Sequence, residues 1–289
     1  MENEYTEIAV VTDSTCDLGP GGEIAYGIDI VPLTVNFGDL SFRDGVDIDT
    51  ADFYDRLTKV SVLPTTSQPS PAAFQTVFRR RLDEGKEIVG MFISAVLSGT
   101  YQAALNAKGY FTDSEQEHIH LIDSKTGSGA LAILVLEACE LRDKGVKALE
   151  IVRQVTALIP RVRLYAVVDT LKYLRMGGRL SDAAAIAGGI LSVVPVITVE
   201  DGALIAAGKI RKGKSVFNKW LREKLNNKLP DIRYPAIYLH SNDPASVDSL
   251  REEFKYLLPP ERSFRLSISA VIGTHVGPGA MGLVYVTRD

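Results

Sequence analysis

The sequence predicts an α/β protein with a mostly parallel sheet in its N-terminal part and a mixed sheet in its C-terminal part. Its 289 residues suggest two domains, at ~100–200 residues per domain. Short β-branched runs alternate with longer helical patterns up to about residue 160, which is typical of strands joined by crossover helices. Beyond that point a hairpin pattern indicates antiparallel pairing. We therefore predict domains of residues 1–160 and 161–289.

Four β-branched runs predict buried strands that alternate with helices. The strands are expected at 7–13, 87–94, 118–124 and 163–169, and the helices at 71–84, 100–110, 126–144 and 147–158. Three of these strands end in an Asp followed by a hydroxyl residue, namely Asp13, Asp123 and Asp169. Ligands gather at the carboxyl ends of strands in α/β proteins, but an Asp ahead of a helix is more often an N-cap. We favour capping for each of the three.

The C-terminal part predicts a hairpin over 193–211 that turns at Asp201-Gly202. The pattern that follows predicts a helix, a strand, a helix and two strands, at 213–228, 234–240, 244–257, 263–270 and 283–288. A hairpin together with crossover helices favours a mixed sheet over a continuation of the parallel one.

Composition and charge exclude several classes of protein. With 32 basic and 36 acidic residues the formal net charge is −4, so a general nucleic-acid binder is disfavoured. Cys16 and Cys139 lack C-x-x-C spacing, which indicates free thiols in a reducing compartment. The N-terminus lacks the layout of a signal peptide, and no apolar run approaches the ~18–20 residues that span a bilayer. A soluble, cytoplasmic protein is therefore expected.

Two glycine-rich segments resemble nucleotide-binding loops. Gly277, Gly279 and Gly282 have G-x-G-x-x-G spacing, but only seven residues follow and they form a strand pattern rather than the required helix. We therefore predict a turn that leads into the last strand and presents His275. The segment "KTGSGALA" (125–132) lacks the G-K-[ST] ending of a P-loop, which favours capping and close packing over anion binding at the helix start.

Histidines are scarce, and none predicts a metal centre. His118 and His120 share one face of a strand start without a nearby cysteine or carboxylate cluster at ligand spacing. A solvated strand edge is the favoured interpretation, and no metal or cofactor is expected.

Hydroxyl side chains are concentrated in two loops that each precede a helix. The segment "LPTTSQPSP" (63–71) carries Thr65, Thr66, Ser67 and Ser70, and "SAVLSGTYQAA" (94–104) carries Ser98 and Thr100. Capping explains one hydroxyl in each loop and not this density. A buried anion needs several such donors, because an unpaired carboxylate in an apolar site is very costly. His275 would add a ring N–H to this set.

A Ser98–His275 pair leaves acyl hydrolysis open as an alternative. Ser98 stands in "LSGT" and lacks the first glycine of a G-x-S-x-G nucleophile elbow, which disfavours this chemistry. Arg179 follows two glycines, where it either forms a surface ion pair or approaches an anion. The basic run at 208–215 is interpreted as a solvated face and, less favourably, as a docking patch.

Seven ordered segments together resemble the DegV family, fatty acid-binding proteins that serve bacterial fatty acid kinases. They are "VTDSTCDL" (11–18), "TTSQPSP" (65–71), "LSGTYQAA" (97–104), "IDSKTGSGA" (122–130), "LRMGGRLS" (174–181), "HSNDP" (240–244) and "IGTHVGPGAMG" (272–282). The resemblance covers essentially the whole chain. It implies a two-domain fold whose N-terminal domain is a three-layer α/β/α sandwich, with a fatty acid buried between or beneath the domains.

The resemblance also implies a set of binding residues and a partner. Thr66, Ser98 and His275 match the positions that hold the fatty acid carboxylate. Thr65, Ser67, Thr100 and Arg179 are expected in the vicinity of the head group. A separate fatty acid kinase catalytic subunit would make the acyl-phosphate, so no catalytic residue is expected here. One departure is Ala95, where family members often have a serine.

A lipid ligand would gain most of its affinity from its tail. Burial of a methylene contributes about 0.8 kcal/mol, so ~16 carbons contribute on the order of 10 kcal/mol before the costs of ordering the chain and desolvating the carboxylate. The small-residue segment "AAAIAGGIL" (183–191) would let an alkyl chain run close to the backbone, although ordinary helix packing explains it equally well. Transient contact with a membrane surface is compatible with such a carrier.

Overall fold

The structure is a computed structural model that describes residues 7–179, 193–211 and 213–288. Its strands are β1 (Glu7–Asp13), β2 (Ile28–Val31), β3 (Thr34–Phe37), β4 (Leu40–Arg43), β5 (Thr65–Ser67), β6 (Lys86–Phe92), β7 (Ile119–Asp123), β8 (Val162–Val167), β9 (Val193–Glu200), β10 (Ala203–Arg211), β11 (Ala236–His240), β12 (Ser263–Ser267) and β13 (Met281–Val286). Its α-helices are α1 (Gly19–Tyr26), α2 (Thr50–Lys59), α3 (Pro71–Asp83), α4 (Thr100–Lys108), α5 (Asp113–Gln116), α6 (Gly129–Asp143), α7 (Ala148–Leu158), α8 (Lys172–Gly177), α9 (Lys214–Asn227), α10 (Pro244–Phe254) and α11 (Ala270–Val276).

The N-terminal part is built on a parallel sheet in the order β2-β1-β6-β7. One face of this sheet packs against α3 and α4 through a cluster that includes Phe74, Phe78 and Ala104. The other face packs against α6 and α7, which contribute Leu134 and Ile151 to the main core. Because helices cover both faces of the sheet, its strands are continuous apolar runs in the sequence. The predicted three-layer arrangement is confirmed.

The C-terminal part is built on a six-stranded sheet in the order β10-β9-β8-β13-β11-β12. Among its described strands only β11 and β12 run parallel, so the predicted mixed sheet is confirmed. The run at 163–169, grouped above with the parallel strands, lies here as β8 and pairs antiparallel with β9 and β13. That grouping was wrong because alternation along the chain does not reveal which sheet a strand joins. The domain boundary near residue 160 stays a prediction.

Helix α6 lies between the two sheets. Every residue from Gly129 to Val135 is buried, and a helix that is apolar on all sides needs packing partners all round. A Cβ atom on Gly129 would lie 2.9 Å from Cγ2 of Ile237 in β11, which is too close. This close approach confirms the close packing predicted for 125–132, whereas the predicted capping was wrong, since the N-cap residue Ser128 makes no side-chain capping hydrogen bond.

A small antiparallel sheet in the order β4-β3-β5 was not predicted. Its strands have three or four residues, too few to show a period in the sequence. The sheet matters because β5 carries Thr66 beside β3.

The C-terminal end of the chain differs from the prediction in one element. The strand expected over 263–270 ends at Ser267, and helix α11 begins at Ala270. His275 therefore lies in the last helical turn rather than in a turn of irregular backbone. Gly277 and Gly279 adopt φ of +74° and +77° after it, which confirms the predicted glycine turn into β13.

Several further expectations concern particular residues. Cys16 and Cys139 are free, as predicted, and both are buried. Within the described ranges, no helix has both the length and the apolar character that crossing a membrane requires. The small-residue segment at 183–191 lies outside the described residues.

Candidate ligand-binding cavity

A cavity of about 420 Å³ opens between the parallel sheet, the small sheet and the six-stranded sheet. Its described walls are mainly apolar and come from Leu33, Ile93, Leu97, Leu164, Ala166, Ile197, Val199, Leu204, Leu239, Ile268, Val271, Ile272 and Val276. Polar side chains join them from Thr66, Ser67, Gln68, Ser98, Ser128, Arg179 and His275. Predominantly apolar walls with a few placed polar groups are typical of small-molecule sites.

Thr66 and His275 meet across the fold although 209 residues separate them in the chain. Thr66 lies in the middle of β5, and His275 lies in the last turn of α11. The Oγ1 atom of Thr66 and the Nε2 atom of His275 are 2.9 Å apart and share a hydrogen bond. The small sheet and α11 thus bring together two of the three residues expected at a carboxylate.

The imidazole of His275 is neutral at physiological pH. Burial, with a smaller contribution from the positive charge of Arg179, lowers its pKa to about 4. Among the described residues its Nδ1 atom has no hydrogen-bond partner, and it faces Gly177, where a Cβ atom would collide with it. We assign the proton to Nε2, since a buried N–H without an acceptor is rarer than an unused acceptor. Thr66 then accepts from His275 and retains its own hydroxyl proton for a ligand.

Ser98 reaches the same cavity from the loop between β6 and α4. Its Oγ atom shares a 2.9 Å hydrogen bond with Oγ1 of Thr100 and accepts a 3.3 Å bond from the Thr100 N–H. No hydrogen bond joins Ser98 to His275 among the described residues, where the bonding partner of His275 is Thr66. The geometry therefore gives no support to a Ser–His nucleophile, which needs the base within hydrogen-bond reach.

Arg179 supplies a permanent positive charge beside the cavity. It follows α8, is exposed, and donates from Nη1 to the carbonyl of Gly177 at 2.7 Å and from Nε to that of Leu97 at 3.5 Å. Among the described lining residues it alone carries a full charge. A carboxylate in this cavity would find its countercharge here.

The remaining predicted residues divide into two groups. Ser67 lines the cavity, and Thr100 is fully buried where it supports Ser98. Thr65 is exposed and is not among the lining residues, while Ala95 bonds Asp123 through its backbone N–H.

Other side chains that were singled out in the sequence lie outside the cavity and have structural contacts there. Asp13 accepts from the Thr15 N–H and caps a short 3₁₀ turn, as expected. His120 hydrogen-bonds Glu87 at 3.1 Å. The described residues contain no group of three or more His, Cys, Asp or Glu side chains arranged to hold a metal ion.

Sequence reasoning missed several lining residues. The amide of Gln68 packs directly on Gly99, where any Cβ atom would displace it, and Gln68 stands inside a segment that already attracted notice. The hairpin β9–β10 closes one side, and its turn is held by a 2.8 Å hydrogen bond from Ser94 Oγ to the Gly202 carbonyl. The Asp201-Gly202 signal predicted the turn correctly but not its contact.

Comparison with known proteins identifies the family. The model of the DegV family, described as an uncharacterised protein family, matches residues 7–288. A DegV domain-containing protein of Caldanaerobacter subterraneus subsp. tengcongensis is 35% identical over 280 residues, with 96% of this chain and 98% of the relative covered.

Solved structures show the same relationship. A DegV family protein from Thermus thermophilus, described by its fatty acid binding, superposes with a TM-score of 0.87 at 31% identity and covers 98% of this chain and 100% of its own. A stearic acid-binding protein from Eubacterium ventriosum has a TM-score of 0.83 at 28% identity, covering 96% and 97%. The chain belongs to the DegV family.

Proposed function

We propose that this protein binds a long-chain fatty acid in the cavity and presents its carboxylate to a separate fatty acid kinase, which makes the acyl-phosphate. The observation that carries the proposal is the cavity itself, in which apolar walls enclose Thr66, Ser98 and His275 beside the charge of Arg179. The Thermus thermophilus and Eubacterium ventriosum relatives, both described as binding fatty acids, support the ligand class.

The polar groups suit a carboxylate rather than a neutral head group. With His275 neutral, the hydroxyls of Thr66 and Ser98 act as hydrogen-bond donors, and Arg179 supplies the countercharge. A carboxylate without such partners would be too costly to bury. The head group thereby fixes orientation, while the apolar walls supply most of the affinity.

Exposure of Arg179 supports presentation to a partner. Its guanidinium is exposed while His275 is half-buried, so the bound carboxylate would lie near the protein surface and the tail would lie inside. A carboxylate in that position is accessible to an external phosphoryl donor. Such a carrier needs no phosphoryl-transfer residues of its own and would work in the cytoplasm.

Lipid analysis tests the ligand. Protein purified under mild conditions is expected to carry about one fatty acid per chain, measured by mass spectrometry of an organic extract. Protein that neither retains lipid nor takes up added fatty acid would overturn the proposal.

Kinase coupling tests the presentation. Ser98→Ala and His275→Ala are expected to slow acyl-phosphate formation with a partner kinase while leaving the circular dichroism spectrum unchanged. Unchanged rates in both variants would remove these residues from the site. An assay with an ester substrate distinguishes a carrier from a hydrolase. A carrier should show no burst of released alcohol.

A further inference from the structure

The side-chain amide of Gln68 lies where the ligand cavity opens to water. Three described residues of the cavity wall are exposed, namely Ser67, Gln68 and Arg179, and all three are polar. The Ser67 hydroxyl already accepts a 3.0 Å hydrogen bond from the side chain of Asn36. Gln68 thus joins Arg179 as a candidate for contact with a head group from the open side.

Gly99 shows where this amide lies. A Cβ atom on Gly99 would be 2.0 Å from Oε1 and 2.8 Å from Nε2 of Gln68, so the amide rests directly against the Gly99 backbone. The φ and ψ of Gly99 are −73° and 6°, which residues with a side chain also adopt. Gly99 is therefore needed for the approach of the amide and not for the course of the chain.

The same loop places the amide beside Ser98. Gly99 follows Ser98 in the chain, and Leu97, which precedes Ser98, accepts the 3.5 Å hydrogen bond from Nε of Arg179. An amide and a guanidinium thus contact the two residues that flank Ser98. Because Ser98 is half-buried while Gln68 and Arg179 are exposed, the polar groups form an inner and an outer level.

The donor capacity of Gln68 suits a carboxylate that the inner level holds only in part. An ionised carboxylate has about four acceptor positions, whereas the hydroxyls of Thr66 and Ser98 supply one donor each. A side-chain amide adds two N–H donors. Hydrogen bonds to an ionised oxygen are roughly twice as strong as those between neutral groups, so a donor at this place favours an anion.

We propose that the Gln68 amide donates to the carboxylate of the bound lipid and thereby makes the cavity selective for an anionic head group over a neutral one on the same tail. The proposal rests on the fatty acid binding proposed above. It assigns to Gly99 the role of admitting the amide. Arg179 attracts an anion through its charge at longer range, whereas the amide acts only on contact with an oxygen.

A change of charge at Gln68 is the direct test. Gln68→Glu keeps the length of the side chain but replaces the donor with a negative charge, so the affinity for hexadecanoate is expected to fall at least about 30-fold. The affinity for hexadecanol, which has the same tail and a neutral head group, should change by no more than about twofold, since it carries no charge to repel.

Both affinities are measured at neutral pH with delipidated protein, by displacement of a fluorescent fatty acid whose own affinity is determined for each variant. Gln102→Glu is the matched control. It makes the same charge change at an exposed position of α4 outside the described cavity wall, and it should bind both ligands like wild type.

A methyl group on Gly99 tests the same contact from the other side. The atoms that it displaces are the end of an exposed side chain, so Gly99→Ala should fold normally and lower the hexadecanoate affinity about tenfold, as Gln68→Ala does. In the double variant the two losses should not add, because either change alone removes the amide from its place. If Gly99→Ala does not fold, the comparison of Gln68→Glu with Gln102→Glu decides the matter.

The contrary outcomes are equally definite. Wild-type protein that binds hexadecanoate while Gln68→Glu binds it as tightly would overturn the proposal and leave the fatty acid function intact. Equal losses of hexadecanoate and hexadecanol in Gln68→Glu would overturn it as well, since Gln68 would then shape the opening without reading the head group. Wild-type protein that binds neither ligand would remove the proposed function and this inference together.

Discussion

The apolar ligand cavity and a second, acidic cavity of about 130 Å³ share a wall and differ in almost every other respect. Leu33 and Ile268 face the apolar cavity, while their neighbours Pro32, Ser267 and Ser269 face the acidic one. The first cavity is lined mainly by aliphatic side chains, with a neutral histidine and one arginine, and the second by four carboxyl side chains, those of Asp17, Glu23, Asp44 and Asp49, together with Ile30, Pro32 and Val46.

Consecutive residues on a shared segment thus face opposite environments. Helix α11 begins at the carboxylates of the acidic cavity and ends with His275 in the apolar one. Both ends depend on buried polar groups, but their charges are handled differently. In the apolar cavity burial lowers the pKa of His275 to about 4, whereas in the acidic cavity burial raises the pKa of Asp17 to about 7 and raises that of Asp44 as well. Tail contacts and head-group contacts are therefore expected to have separable effects on ligand affinity, and protonation of His275 is expected to affect stability.

Filling the apolar cavity with a larger side chain should have the largest effect on fatty acid affinity. Val199 is half-buried in its wall, and Val199→Trp displaces roughly three or four methylenes of the ligand at about 0.8 kcal/mol each, a loss of about 100-fold in affinity. Isothermal titration with a delipidated protein measures it. Val194→Trp is the control, because Val194 lies on the same strand and packs against the other face of the sheet. Equal losses in both variants would mean that the cavity is not the binding site.

Displacing His275 without removing it should have the next largest effect. Gly177→Ala places a methyl group against Nδ1 of His275, and fatty acid affinity is expected to fall about 30-fold. Thermal stability should show no comparable loss, since alanine favours a helix over glycine. Gly21→Ala is the control, as a Cβ there meets nothing within 4 Å. Unchanged affinity in Gly177→Ala would show that the position of the imidazole does not matter.

Removal of the Thr66 hydroxyl should lower the affinity for fatty acid about tenfold. Thr66→Val keeps the shape but leaves His275 Nε2 and the ligand carboxylate each without a partner, a penalty of about 1–3 kcal/mol. Thr65→Val on the exposed side of the same strand should bind like wild type. A competition assay with a fluorescent fatty acid compares the two. A larger loss of affinity for Thr65→Val would indicate that the head group binds at the other face of β5.

Protonation of His275 should have the smallest effect near neutral pH. Because its pKa is about 4, its ring signals in nuclear magnetic resonance should stay constant from pH 8 to about 5 in the lipid-free protein. The unfolded chain binds this proton at the ordinary pKa of ~6.5, so stability falls as pH drops from 6.5 towards 4. His275→Gln should lose less stability than wild type over that interval. Ring signals that titrate near pH 6.5 would contradict the buried, neutral imidazole.

Local sequence patterns predicted most of the secondary structure. Helix α3 was expected over 71–84 and spans Pro71–Asp83, and the hairpin at Asp201-Gly202 formed as expected. The small sheet was missed because its strands are too short to show a period. Helix α11 was mistaken for a strand and a turn, since its seven residues carry only two turns of pattern.

For the candidate site, the sequence by itself determined which residue types were available. The density of hydroxyls in two loops and the single histidine of the glycine-rich segment indicated an anionic ligand, and the seven segments indicated the family. The apolar walls were not identifiable, because any of the many aliphatic residues of this chain suits a core equally well. The acidic cavity was also invisible, since Asp17, Asp44 and Ser269 come from three distant segments.

Tertiary structure alone decided that Thr66 hydrogen-bonds His275 and that Gly177 lies against the imidazole of His275. It also decided that Ser98 hydrogen-bonds Thr100 and not His275. The reason is physical. Hydrogen-bonding capacity and helix or strand preference are local properties that a sequence displays directly. Burial and the pKa values of His275 and Asp17 depend on which segments pack together, and that is fixed only when both sheets close around α6.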